Sequence, residues 1–337
     1  MQKRLDYIDI LKGLGIIFVV IGHLYSNPII KDYIYSFHLP LFFVVSGLLL
    51  NVDKYPKTKD FLISRIKSLY IPFVIFYCVL WLYWFLIERH FRYFEVSSFE
   101  TAFGIIWASD SYRWIYPAGV LWFVPALLSL EVIIFFVVKQ TWVIIFKSIV
   151  LISLFVVGLV LAHYNLFILP WGLNNALICI PFLAIGYSLR KLVIIECKVP
   201  DKKTILSIFA IILLLVNCLC VYHFGCNINI SRLDTGNLLF YLSIPFIGTG
   251  TWYFVSKAIG KNSLLQWLGS NSLAILAFHS PIGRALTFIL GKLFDHDKEG
   301  IRENFLTALL LIVLTLLVCW PICLLWNKLY SWLKTRM

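Results

Sequence analysis

Charged side chains are scarce in this 337-residue chain: Lys, Arg, Asp and Glu together make up 14% of it, against about a quarter in an average soluble protein. With hydrophobic residues at 61% and a mean hydropathy of +0.89, that scarcity excludes an ordinary water-soluble domain. The alternating pattern of a membrane β-barrel is missing too, as are internal repeats, low-complexity tracts and any linker that would divide the chain. The eight cysteines contain no CxxC pair and six of them fall within apolar segments. Neither a disulfide framework nor a zinc or other metal site is expected from them. No small-residue cleavage site follows the first apolar run, which Asp6, Asp9 and Lys12 interrupt, so the run reads as a membrane span and not as a signal peptide.

What is present is a series of apolar segments long enough to cross a hydrocarbon core of about 30 Å. They fall at about 8–26, 35–51, 69–88, 118–138, 142–162, 172–190, 204–224, 238–258, 267–291 and 305–330. The fold expected is an all-α polytopic integral membrane protein of about ten transmembrane helices, a single domain over 1–337 with no additional soluble domain. Lys and Arg set its orientation. Alternate loops, beginning with Lys3 and Arg4 and ending with Lys328, Lys334 and Arg336, hold 19 of the 29 basic residues. The positive-inside rule then places both termini in the cytoplasm, which an even number of spans satisfies. The net charge of +12 is accounted for by basic loops meeting anionic headgroups of the lipid bilayer, and no nucleic-acid partner is needed.

Ionisable groups inside a bilayer are costly and tend to face the bundle interior, which makes each a functional candidate. In "KGLGIIFVVIGH", eleven helical steps bring His23 to within roughly 20° of the face that holds Lys12, about 16 Å further along the axis. Lys12 can equally pair with Asp9, three residues away. Gly13, Gly15 and Gly22 permit close approach of other helices. "YSFHLPLFFVVSGLLL" sets His38 at the same outer depth as His23, after a loop of about nine residues, with Pro40 tolerated in the first helical turn. Two histidines on consecutive helices at one depth point to a site.

"KDFLISRIKSLYIPF" reads as a basic amphipathic stretch along the inner membrane surface, or as a place where Arg65 and Lys67 hold the phosphates of an anionic cofactor. In "VLWFVPALLSLE", Trp122 alone would be an aromatic-belt anchor, while Glu131 reads as a buried partner for a cation or a hydroxyl. "SNSLAILAFHSPIGR" puts Ser272 and His279 on one helix face, with His279 at mid-depth beside a loosening Pro281. The outer loop 89–117 mixes aromatic and charged residues (Arg92, Tyr93, Trp107, Asp110, Tyr112, Arg113, Trp114) that suit either a sugar or lipid headgroups. Asn229-Ile230-Ser231 has the form of a glycosylation sequon.

Taken in order, these stretches resemble the membrane-bound acyltransferase family 3, whose members O-acetylate bacterial surface polysaccharides and related glycans. "DILKGLGIIFVVIGH" is similar to its first-helix signature, a basic residue followed by ten residues and a histidine. "FHLPLFFVVSG", "LWFVPALL", "FLAIGYSLRK" and "SLAILAFHSPI" are similar to its later motifs, over nearly the full length. Two positions depart from the family pattern: Lys12 stands where arginine is commoner, and Ser68 stands where a second arginine is expected after Arg65.

The resemblance implies transfer of an acetyl group from cytoplasmic acetyl-CoA to a hydroxyl of a cell-surface or lipid-linked glycan, in a multi-pass protein of the bacterial inner (plasma) membrane. Imidazole is the one side chain whose ordinary pKa suits a general base near neutrality, which makes His23 the first candidate for that role and His38 the second. Lys12, Arg65 and Lys67 are then candidates for holding the donor. Trp122, Glu131, Ser272 and His279 are candidates for contacting substrate or the tetrahedral oxyanion. The alternative from another class is a transporter or export partner that uses the same buried ionisable residues.

Overall fold

A computed structural model describes residues 5–91, 96–109, 114–195, 202–225 and 228–336. Lys3, Arg4, Arg92, Tyr93, Asp110, Tyr112, Arg113, Cys197, Lys198 and Cys226, which entered the charge, loop and cysteine readings above, lie outside the described residues. The other six cysteines are free thiols.

The described residues are predominantly helical, and among them the one β-type pairing is an isolated bridge between Asn229 and Asp234. The helices are α1 (Asp6–Leu24), α2 (Pro28–Tyr35), α3 (His38–Leu49), α4 (Thr58–Arg65), α5 (Ile71–Leu86), α6 (Ser98–Trp107), α7 (Phe123–Lys139), α8 (Ile144–Tyr164) and α9 (Leu173–Ile178). They continue as α10 (Ile180–Arg190), α11 (Lys203–Phe224), α12 (Leu238–Tyr241), α13 (Ile244–Ile259), α14 (Ser263–Ser270), α15 (Ser272–Phe294), α16 (Lys298–Glu303) and α17 (Phe305–Arg336). Among the described residues nine helical stretches are long and apolar enough to cross a membrane, or ten if the pair Pro170–Ile178 and Ile180–Ile194, bent by 70°, is one span. The protein is an all-α polytopic membrane protein.

Three expected boundaries move, each for a local reason. The second stretch begins at Pro28 and not at 35, because the Asn27 side chain accepts a hydrogen bond from the Ile30 amide at 3.1 Å and Pro28 occupies the first helical position. These are the residues that start helices. The third stretch runs from Thr58 to His90, continuous through a π turn at Ile66–Tyr70. Its 33 residues extend about 50 Å at 1.5 Å per residue, so the basic start is a continuation of the span and not a separate surface helix. The expected span 267–291 is divided at Asn271, whose φ of −103° and ψ of 9° end α14 before α15 begins.

The helices group into two compact units. One comprises Met1–Leu39, Pro200–Cys226 and Ser243–Met337; the other comprises Pro40–Val199 and Asn227–Leu242. In the first unit α1 packs against α13, α14 and α15. Its crossing with α14 is close because glycines meet backbone: a Cβ at Gly13 would collide with the carbonyl oxygen of Leu265, and one at Gly269 with that of Asp9. Small-residue contacts of this kind are the usual basis of helix packing in lipid, where no hydrophobic force separates helix from solvent. Trp267 of α14 stacks on Trp320 of α17 with ring centres 4.3 Å apart.

In the second unit α7 packs against α8, α9 and α10. Phe61 of α4 is fully buried and stacks face to face on Phe135 of α7, 3.8 Å between centres and 3° between planes. This contact fixes the start of the third stretch onto α7. The long loop after α5 carries a helix of its own, α6, whose Phe103 and Trp107 pack around Trp114 at 5.8 and 6.2 Å.

Candidate active site

Three histidines of the first unit come to one locality. His23 lies in the last turn of α1, His38 opens α3 and His279 is inside α15. The rings of His23 and His279 are 5.1 Å apart between centres, inclined at 55°. Tyr35, in the last turn of α2, bridges toward the third: its ring is 6.5 Å from that of His23 and 4.9 Å from that of His38. Only His23 of the three is exposed; His38 and His279 retain 2% and 0% of their surface.

The hydrogen bonds assign the buried rings their tautomers. His279 Nδ1 is 3.0 Å from the carbonyl oxygen of Ile275 and 2.9 Å from that of Leu276, and His38 Nδ1 is 2.8 Å from that of Ile34. A carbonyl can only accept, so Nδ1 is the donor in both rings, and in a neutral imidazole Nε2 is then an acceptor. In His279 that Nε2 is buried with no hydrogen-bond partner. With this tautomer a neutral ring has no second N–H, so an oxyanion contact from His38 or His279 would call for the protonated ring. What His279 offers is a lone pair, beside the exposed ring of His23.

The exit of α1 is pinned on two sides. The Ser26 amide donates to the carbonyl of Arg302 at 2.9 Å, and Gly283 of α15 leaves room for Leu24, whose Cδ2 would meet a Cβ there. Arg302 also reaches the Thr287 hydroxyl at 3.4 Å. His23 is thus the accessible group on a fixed frame.

Lys12 belongs to the same unit and pairs with Asp9 at 2.9 Å, its side chain still 23% exposed. Ser272 is the first residue of α15, half-buried, about 10 Å along the helix from His279 at 1.5 Å per residue, and the structure does not bring it to the histidine rings by sharing a face alone.

Arg65, Lys67, Trp122 and Glu131 all belong to the second unit. Arg65 Nη1 lies 2.9 Å from Glu131 Oε2, and the Ser46 hydroxyl donates to the other carboxylate oxygen. Glu131 therefore has both a cation and a hydroxyl as partners. Tyr55 extends the group, with its hydroxyl 3.3 Å from Arg65 Nη2 and 3.0 Å from Ser64 Oγ. Arg65, expected to hold the phosphates of the donor, pairs here with Glu131. Lys67 sits half-buried in the π turn. Trp122 is 7% exposed at the end of the 3₁₀ segment Tyr116–Trp122, too buried for the interfacial anchor its isolated reading suggests.

Sequence reasoning passed over Tyr35 and Ser46. An aromatic three residues before His38 and the serine next to the last residue of "FFVVSG" were the available signals, and neither is distinctive without the partner.

The described residues thus form a polytopic helical bundle in which the exposed His23 ring lies beside the buried ring of His279. A family model described as an acyltransferase domain matches residues 5–324, and the chain belongs to that family, acyltransferase family 3. It is a multi-pass membrane acyltransferase. No curated protein and no solved structure matches the chain.

Proposed function

We propose that the protein moves an acetyl group from cytoplasmic acetyl-CoA to a hydroxyl of a cell-surface or lipid-linked glycan at the bacterial inner membrane, with both termini on the cytoplasmic side. The observation that carries this reading is the exposed His23 ring 5.1 Å from the ring of His279, at the end of α1 opposite Lys12. A sugar hydroxyl is a weak nucleophile, and a positioned base is worth roughly 10²- to 10⁴-fold. His23 takes the hydroxyl proton as the oxygen attacks the thioester carbonyl. The tetrahedral adduct then collapses, the C–S bond breaks, and the proton passes to the leaving thiolate to give CoA thiol and the O-acetyl ester.

Within this reading His279 is a positioning residue: its Nε2 accepts an N–H from His23 and so leaves the second His23 nitrogen unprotonated for the acceptor hydroxyl, the logic by which an acceptor orients the base of a catalytic triad. Lys12, about three turns away on the same stripe, draws the anionic donor along α1, while Arg65 and Glu131 serve the frame. The transport alternative has no comparable support, since family membership is to an acyltransferase domain.

The test is mass spectrometry of surface and lipid-linked glycans from cells in which the gene is deleted, restored, or restored as His23→Ala. One acetyl increment seen only with the intact protein is the expected result. A glycan mass that never changes while surface glycan falls in amount would overturn it in favour of export.

A further inference from the structure

Attack on a thioester carbonyl turns its oxygen into an oxyanion, and acyl-transfer sites aim preset N–H or O–H donors at that charge. In the histidine cluster of the first unit the fixed ring N–H groups are committed to backbone. His38 Nδ1 donates to the Ile34 carbonyl at 2.8 Å, and His279 Nδ1 donates to those of Ile275 and Leu276. The hydroxyl of Ser36, two residues before His38, donates to the Tyr33 carbonyl at 2.7 Å. Tyr35 carries a neutral O–H into the same cluster, and no step described above uses it.

The sequence holds this phenol in place. Tyr35 is the last residue of α2, a helix capped by Asn27, started by Pro28 and closed by the Ser36 amide, which donates to the Asp32 carbonyl at 3.1 Å. The Ile34 carbonyl that holds the His38 ring belongs to the residue just before it. Tyrosine and histidine are thereby set against each other, with ring centres 4.9 Å apart and planes inclined at 57°. The Tyr35 ring also meets α1. A Cβ at Gly22, the residue before His23, would lie 3.3 Å from Tyr35 Cε2 and 3.2 Å from Ile34 Cγ2, tighter than ordinary contact. Glycine there lets the phenol rest on α1 beside the exposed imidazole, 6.5 Å between ring centres. Lys31, one turn back on α2, places Nζ 5.6 Å from the centre of the Tyr35 ring. A cation over an aromatic face is attracted by its electrons and draws density from the phenol oxygen, which strengthens the O–H as a donor.

We infer that Tyr35 is a catalytic residue whose O–H donates to the oxyanion of the tetrahedral adduct while His23 takes the proton of the attacking hydroxyl. The inference rests on the acetyl-transfer reading above. A phenol oxygen can accept hydrogen bonds from its neighbours and still give its own, and a neutral O–H does this without a protonated histidine. No bond to Tyr35 forms or breaks. Its hydrogen bond tightens as charge builds on the carbonyl oxygen and relaxes when the C–S bond breaks, and the proton that moves is the one His23 carries from the hydroxyl to the leaving thiolate.

Membranes bearing the full chain, supplied with radiolabelled acetyl-CoA and using the glycan they already contain, test this role at protein amounts matched by immunoblot. Tyr35→Phe keeps the ring against Gly22 and His38 and deletes only the O–H. Its maximal rate of acetyl incorporation is expected to fall about 10²- to 10³-fold, the value of one oxyanion donor, with KM for acetyl-CoA and Tm as in wild type. Tyr33→Phe removes the other phenol of α2, whose oxygen accepts from Trp252 Nε1 at 3.2 Å, and should keep the wild-type rate. Fluorinated tyrosines at position 35 supply a readout that packing does not move: with each phenol kept protonated, the rate should rise as the O–H becomes more acidic. A flat rate across that series would overturn the inference, as would a raised KM for acetyl-CoA with an unchanged maximal rate, which marks donor binding. An active wild type equalled by Tyr35→Phe would refute the role alone, whereas a wild type that incorporates no acetyl group would refute the acetyl-transfer reading and the role with it.

Discussion

The imidazole of His23, exposed at the end of α1, lies 5.1 Å from the fully buried imidazole of His279, whose Nδ1 is held by two carbonyls of its own helix. In the proposed mechanism the pair has a direction, from a donor N–H on His23 to the acceptor Nε2 of His279, which is buried without a hydrogen-bond partner.

That direction predicts unequal phenotypes. His23→Ala removes the base, and acetyl transfer falls by about 10²- to 10⁴-fold with membrane insertion unchanged. His279→Leu removes only the acceptor and keeps a similar volume. Its kcat falls by about tenfold or more, the value of one buried hydrogen bond, while KM for acetyl-CoA stays as in wild type. Steady-state kinetics of the two variants in nanodiscs separate the roles. A His279→Leu enzyme with a raised KM and normal kcat would assign His279 to the donor instead.

The ion pair of the second unit carries a stability prediction. Glu131 is 4% exposed and its partners are Arg65 and Ser46. Arg65→Ala leaves a buried carboxylate uncompensated and is expected to cost about 3 to 5 kcal/mol, read as a lowered Tm of the detergent-solubilised protein. Removing both charges, as Arg65→Met with Glu131→Leu, recovers most of that loss. A double variant no more stable than Arg65→Ala would show that the two side chains do not act as a pair.

How far the sequence disclosed all this varies with the range of the interaction. The span containing His23 was legible because one continuous apolar run carries it, and the His23–Lys12 stripe follows from helical periodicity alone. Glu131 could be read as needing a partner, since a carboxylate inside an apolar span has little other future. The identity of that partner could not, because Arg65 is distant in sequence and several cations were available. The early start of α2 was hidden by Lys31 and Asp32, which make "NPIIKDYIY" look like a loop until Asn27 is recognised as its cap. The bend at Cys179 and the break at Asn271 left no mark in hydropathy, which averages over both. The tautomers of His38 and His279 depend on which carbonyls the rings meet and are invisible without coordinates.

The crossing of α1 with α14 predicts that small changes there act on the site through the frame. Gly269→Ala would place a methyl group against the Asp9 carbonyl, and Gly13→Ala would do the same against Leu265. Overpacking of this kind costs about 1 to 3 kcal/mol. Both variants are expected to lower Tm and reduce monodisperse protein in size-exclusion chromatography. Leu317→Ala, on an exposed position of α17, should do neither. Activity per folded molecule falls in the glycine variants as well, because α1 carries His23.

Lys12 offers the sharpest separation of structure from function. Its ion pair with Asp9 is an i, i+3 contact on one helix, with 23% of the lysine side chain exposed. Such pairs contribute about 0.3 to 0.5 kcal/mol, so Lys12→Met should move Tm by only about 1 °C. If Lys12 draws the donor along α1, the same variant raises KM for acetyl-CoA several-fold and leaves kcat at saturating donor near wild type, the pattern of lost uniform binding. Lys12→Arg should keep KM low, because it retains the charge and adds the fork favoured by phosphate. Asp9→Asn provides the opposing control: it frees the lysine from its partner and is expected to leave KM unchanged or lower. A Lys12→Met enzyme with wild-type KM and a substantially lowered Tm would assign the residue to the fold, and the stripe from Lys12 to His23 would then carry no donor.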